Sequence, residues 1–229
     1  PWPVSELLVR ALSVTLPLAL LAIAVASILG LGVGLLASSH LGRAADLGLM
    51  ALAQIGIAVP EFWVGILLMG WFAVGWRILP SGGFPGWGEP GALAHLVLPA
   101  LALALPRGAY LARMVRAAVA DVLSNDAIRT ARAKGLPERR VILVHALRGA
   151  LVPVAAAFGL TFARLMAGTL VIENVFSLPG VGWYAVRAAG GRDLYLLLGI
   201  AVTAAALVGL VSAGADLAYA FLNPRIRYR

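Results

Sequence analysis

The stretch VTLPLALLAIAVASILGLGVGLL, residues 14–36, holds no charged side chain and matches the ~20 apolar residues that carry a helix across a bilayer. Its apolar positions form a block instead of an amphipathic stripe, the pattern of a helix surrounded by lipid. Reading outward finds four more blocks, near 47–74, 92–112, 150–172 and 194–222. The second is interrupted by Pro60 and Glu61, which predicts a tilt or a kink. The fourth carries one internal charge, Arg164, and the fifth none until Asp216. At 62% hydrophobic and 12% charged, with mean hydropathy +0.95, the chain is too apolar to hide its side chains in one aqueous core. These blocks predict an all-α polytopic membrane protein of about five transmembrane helices, a single transmembrane domain over 1–229.

Charge placement gives the orientation. The net charge of +8 would suggest nucleic acid in a soluble chain. Here nine basic residues lie between Arg107 and Arg148 against Asp121, Asp126 and Glu138, a net +6, and Arg225, Arg227 and Arg229 end the chain with no acid beside them. The Ser38 to Asp46 turn is near neutral, and the remaining loops net zero. Basic segments stay in the cytoplasm, so the loop at about 113–149 and the C-terminus are expected on the cytoplasmic side of the membrane, and no nucleic-acid partner is expected. Glu6 stands where a cleavable signal would be basic, so the first block is read as a span. Five spans with an inward C-terminus leave the N-terminus outside, and one further helix is expected ahead of Pro1. Gly30 and Gly34, four apart, read as a close helix contact.

The most informative loop runs Asp126-Ala-Ile-Arg-Thr-Ala-Arg-Ala-Lys-Gly-Leu-Pro-Glu-Arg-Arg140. Gly135 suits a helix end and Pro137 the start of another. Ala131 and Gly135, spaced i and i+4, are expected to form one small-sided face that a partner can approach, with Arg132 on a different face reaching acidic or polar groups of that partner.

This loop resembles that of permease subunits of ATP-binding-cassette importers in the dipeptide, oligopeptide and nickel family. The match rests on Arg129-Thr-Ala-Arg-Ala-Lys-Gly-Leu136, followed by His145-Ala-Leu-Arg148 and Pro153. Further similarity lies in Pro60-Glu61-Phe62-Trp63, in Leu79-Pro-Ser-Gly-Gly83, in Glu173-Asn-Val-Phe176-Ser-Leu-Pro179-Gly180-Val-Gly182, and in Asp216, Tyr219 and Asn223-Pro-Arg-Ile226. Glu61 stands where a small polar residue is common in the family, and Asn223 where aspartate is frequent. The resemblance implies a type I ABC importer permease fold with a cytoplasmic coupling helix. Arg129, Thr130, Ala131, Arg132, Ala133, Lys134, Gly135 and Leu136 would dock the ATPase, and Glu173, Phe176, Pro179, Gly180 and Gly182 would form an outer-face loop. It also implies a second permease, two ATPase subunits that bind the ATP and magnesium, and a periplasmic or lipid-anchored binding protein. This chain would bind no cofactor itself. Peptides are the first expectation for the solute, with nickel, glutathione and glycosidic or opine-like solutes open.

Pro60, Glu61, Phe62, Trp63 and Arg164 are candidates for the solute path or gate. A charge in hydrocarbon usually faces the bundle interior or a water-filled path. Glu61 and Arg164 therefore read either as an interhelical ion pair or as path residues. The only lysine, Lys134, follows no Gly-x-x-x-x-Gly-Lys, so the chain lacks a P-loop. His40, His95 and His145 lack metal-ligand spacing, and no metal site is expected. No Gly-x-Ser-x-Gly or other nucleophile constellation supports a membrane-embedded enzyme, and a passive channel would not need an ATPase-docking loop.

Overall fold

The computed structural model describes residues 3–222. The Asn223 to Ile226 match, the basic tail, Pro1, and the side chains of Asp216 and Tyr219 lie outside the described residues. The helices are α1 (Val4–Ser38), α2 (Ala44–Ala58), α3 (Glu61–Leu68), α4 (Ala94–Leu123), α5 (Asp126–Ala133), α6 (Glu138–Arg140), α7 (Leu147–Val175), α8 (Val181–Gly190) and α9 (Leu194–Leu222). The turns Met69–Gly75 after α3 and Val141–Ala146 between α6 and α7 have π-helical geometry.

Among the described residues four helices are long and apolar enough to cross a bilayer, with mean hydropathy from 1.3 to 2.5, or five if α2 and α3 make one crossing. The second block is more than kinked. Pro60 lacks an N–H to continue α2, and it restricts Val59 before it. It caps α3 instead, at φ −64° and ψ 138°. Each piece, Ala44–Ala58 or Glu61–Gly75, is about 22 Å long at ~1.5 Å per residue, too short to cross alone.

The chain forms two compact units, and α1, α4, α7 and α9 supply residues to both. One unit comprises α1 up to Val25, Val59–Leu105 and Phe162–Val211. Its core gathers Leu18, Leu96, Leu98, Leu103, Leu165, Ile172, Phe176 and Leu178, each 0–1% exposed. The other comprises Ala26–Ala58, Pro106–Thr161 and, among the described residues, 212–222. Its core is built from Val115, Val119, Ile128, Val141, Ala146 and Ala150.

Within the second unit, Gly30 and Gly34 act as their spacing predicts. A β-carbon on Gly30 would come within 2.5 Å of the Leu111 β-carbon, and one on Gly34 within 2.8 Å of the Ala112 carbonyl oxygen. The missing side chains let α1 lie directly on α4. Elsewhere large apolar side chains face outward, among them Ile28 (71%), Val202 (69%) and Leu210 (71%). Water would penalise such surfaces, and lipid does not.

Candidate functional site

The loop helix α5 is short and strongly two-sided. Ile128 and Ala131 are buried, and with Leu136 they join the apolar cluster of their unit. Burying Ile128 contributes about 2 kcal/mol to holding α5 against the bundle. Asp126, Arg129, Thr130 and Ala133 occupy the opposite, exposed arc. Gly135 ends the helix at φ +77°, a left-handed conformation that disfavours any side chain. The Leu136 N–H donates to the Ala131 carbonyl at 3.4 Å, and the Gly135 N–H to the Arg132 carbonyl at 2.9 Å. These two bonds, with Leu136 and Ala131 in one cluster, form a Schellman cap.

One expectation is corrected here. Ala131 and Gly135 share no open face, because Ala131 turns into its own bundle and Gly135 has left the helix. The small residue on the open face is Ala133. Arg132 clasps Glu138 across the turn, Nη2 to Oε1 at 2.6 Å and Nε to Oε2 at 3.1 Å, and its side chain stays 44% exposed. Donating these hydrogen bonds to the Glu138 carboxylate holds the Arg132 guanidinium above its already high range. Arg129, Lys134, Arg139 and Arg140 remain exposed.

The outer-face motif builds a buried network within the first unit. Glu173, fully buried near the end of α7, accepts a hydrogen bond from Thr15 Oγ1 at 2.6 Å. Its other oxygen accepts the N–H groups of Gly182 at 2.7 Å and Trp183 at 3.3 Å. The Val181 N–H donates to Thr15 Oγ1 at 2.9 Å. Thus the first three N–H groups of α8, which have no partner in their own helix, are satisfied by side chains from α1 and α7. A β-carbon on Gly180 would lie 2.5 Å from the Glu173 carboxylate oxygens, and one on Gly182 2.9 Å from the Leu170 carbonyl oxygen. Pro179 precedes this capping turn.

Phe176 joins that network to the Leu79 to Gly83 loop. Its carbonyl accepts the Gly83 N–H at 2.7 Å, and a β-carbon on Gly82 would lie 2.5 Å from that same oxygen. His95 Nδ1 lies 2.9 Å from the Gly83 carbonyl, so this nitrogen carries the proton. The Phe176 ring is buried beside Gly65 of α3. Two motifs about ninety residues apart in sequence therefore meet at one buried phenylalanine.

Pro60 stands exposed at the N-terminus of α3, with Phe62 (45%) and Trp63 (49%) half exposed after it. The Glu61 carboxylate lies against the backbone of Gly168, where a β-carbon would overlap it. Arg164, exposed, stands one helical turn before Gly168 on α7, so Glu61 and Arg164 come to neighbouring levels of one unit. The sequence reading missed Thr15, which looks like any small polar residue in an apolar span. It also missed a half-buried pair in the second unit, buried Asp46 with partly exposed Arg116, where Nε meets Oδ1 at 3.0 Å and Nη2 meets Oδ2 at 2.6 Å. An acid just after a turn and an arginine in a basic stretch read as solvated ends.

This arrangement of helices is that of the membrane subunits of ABC transporters. A chain of the inward-facing MetNI methionine ABC transporter superposes with a TM-score of 0.83, covering 97% of this chain and 99% of that one at 20% identity. A chain of a histidine-bound amino acid ABC transporter gives 0.68, covering 97% and 95% at 17% identity. The chain belongs to the family of binding-protein-dependent transport system inner membrane components, whose model matches residues 30–228, and it is a permease subunit of an ABC importer. The oligopeptide transport system permease protein OppB of Escherichia coli is 40% identical over 227 residues, 99% of this chain and 73% of the relative. A putative peptide transport system permease protein of Brucella abortus is 41% identical over 228 residues, 99% and 73% of the two chains.

Proposed function

We propose that this permease subunit imports peptides, with α5 and the turn at Gly135 as its mechanical contact with an ATPase. The carrying observation is the two-sided α5. It is fixed to its bundle by Ile128, Ala131 and Leu136 and capped at Gly135, while Arg129, Thr130 and Ala133 stay open. A helix gripped on one face and bare on the other can pass a push into the helices it is packed on. Hydrolysis belongs to two partner ATPase subunits that bind ATP and magnesium, and this chain binds neither. A second permease completes the path, and a periplasmic or lipid-anchored binding protein delivers the solute. Closure of the ATPases then drives alternating access. The docking loop and the C-terminus face the cytoplasm, as the basic loop supports. The peptide class is supported by relatives at 40–41% identity named for oligopeptide and peptide transport. Pro60, Glu61, Phe62, Trp63 and Arg164 are the path or gate residues of this reading, and Phe62 and Trp63 expose apolar surface that side chains of a peptide could slide past.

The test is reconstitution of the assembled importer with Ala133→Trp on the open face of α5. Membrane insertion and pairing with the second permease should persist, while solute-stimulated ATP hydrolysis and uptake fall to background. Uptake at the wild-type rate would remove α5 as the coupling element.

A further inference from the structure

A polar cavity in the second unit has no place in the transport reading. Its volume is about 480 Å³, and Asp46, Leu47, Met50, Ala51 and Gln54 of α2 line it opposite Arg113, Arg116 and Ala117 of α4. Its charges do not cancel. Arg116 is matched by Asp46, whose two carboxylate oxygens are taken up by that guanidinium, with the Gly42 N–H also on Oδ2 at 3.0 Å. Arg113 instead donates to the side-chain carbonyl of Gln54, a neutral partner. Among the described residues one full positive charge is left facing the cavity, and both guanidinium groups keep N–H donors to spare.

The cavity's level along the helices narrows the class of ligand. Arg113 lies nineteen residues after Ala94, the start of α4, which is about 29 Å of helix, close to the ~30 Å thickness of bilayer hydrocarbon. Asp46 lies in the first turn of α2, just past the polar Ser38 to Arg43 turn. Both measures put the arginines at the edge of the hydrocarbon, on the side of the basic loop. The same stretch of α2 exposes Leu47 (66%), Leu52 (66%) and Ile55 (62%). A ligand suited to this site has one anionic group, hydrogen-bond acceptors for a guanidinium, and apolar chains running along α2.

We propose that this cavity holds the phosphate headgroup of an anionic phospholipid, with Arg113 as its charge partner, Arg116 as an oriented donor and the acyl chains along Leu47, Leu52 and Ile55. Asp46 fixes Arg116 and, by neutralising it, keeps the site selective for a single negative charge. The inference rests on the family assignment only for residence in a membrane, and its test does not involve transport.

The assembled importer is placed in liposomes with trace photoactivatable phosphatidylglycerol or photoactivatable phosphatidylcholine, and cross-linked peptides are mapped. Peptides covering 47–54 and 113–117 should take the anionic probe about fivefold more than the zwitterionic one, the preference expected of one basic side chain at a membrane surface. Arg113→Gln should bring the two probes to parity, and so should Ala117→Glu, which cancels the charge without removing the arginine. Arg113→Lys and the loop control Arg139→Gln should keep the preference. Parity in the wild type, a preference surviving both neutralising variants, or protein cross-links in place of lipid at these peptides would overturn the proposal.

Discussion

Replacing Thr15 by valine removes a hydroxyl and leaves the volume almost unchanged, so it isolates the polar link between α1 and the outer-face motif. Thr15 is 3% exposed and Glu173 0%, so water cannot replace what is lost. Two bonds disappear, the 2.6 Å bond to Glu173 Oε1 and the 2.9 Å bond from the Val181 N–H. A buried donor or acceptor left without a partner costs about 1–3 kcal/mol, so the pair should cost about 3 kcal/mol. At ~2–4 °C per kcal/mol for a chain of this size, the midpoint of thermal unfolding in detergent should fall by about 6–12 °C. Thr15→Ser keeps both bonds and loses only a buried methyl, worth ~1 kcal/mol. The assay is the soluble fraction after heating, followed by size-exclusion chromatography at one scan rate, because such unfolding is irreversible. If the valine variant is as stable as the serine variant, the network does not hold α8 in the way described.

Gly182→Ala and Gly180→Ala should each abolish well-folded protein in the same assay, since their β-carbons would meet the Leu170 backbone and the Glu173 carboxylate. Gly48→Ala, with open space around it, should be nearly neutral. If Glu61 and Arg164 pair, Glu61→Gln should lower detergent stability, and adding Arg164→Met should restore part of it, because removing one charge leaves the other uncompensated. Additive losses in that cycle would assign the two charges independent roles, as path residues would have. The chain has no cysteine, so single-cysteine variants report topology directly. An impermeant thiol reagent applied from outside should modify Ser5→Cys and spare Ser124→Cys, and the reverse pattern would overturn the orientation.

By itself the sequence determined the membrane class, the helical fold and the existence of the loop helix. These follow from local quantities: the length of uncharged blocks, the side on which arginines gather, and a glycine followed two residues on by proline. The bilayer makes such signals decisive, because it forces every backbone polar group in a span to be satisfied within its own helix. The outer-face motif was likewise legible as a string ending in Pro179, Gly180 and Gly182. Only the tertiary structure decided what that string is for. Gly182 is small because the Leu170 backbone passes beside it, and Glu173 is buried because it caps α8 together with Thr15, 158 residues away in the chain. The same holds for α5. Helical spacing put Ala131 and Gly135 on one face, but Ile128 decided which side of α5 is buried, and the Schellman cap took Gly135 out of the helix. Asp46 and Arg116, 70 residues apart, carry no mark of their pairing in either local sequence. Partners of that kind are chosen by which helices pack together, and that choice is made by the summed burial of many side chains, which no short stretch encodes.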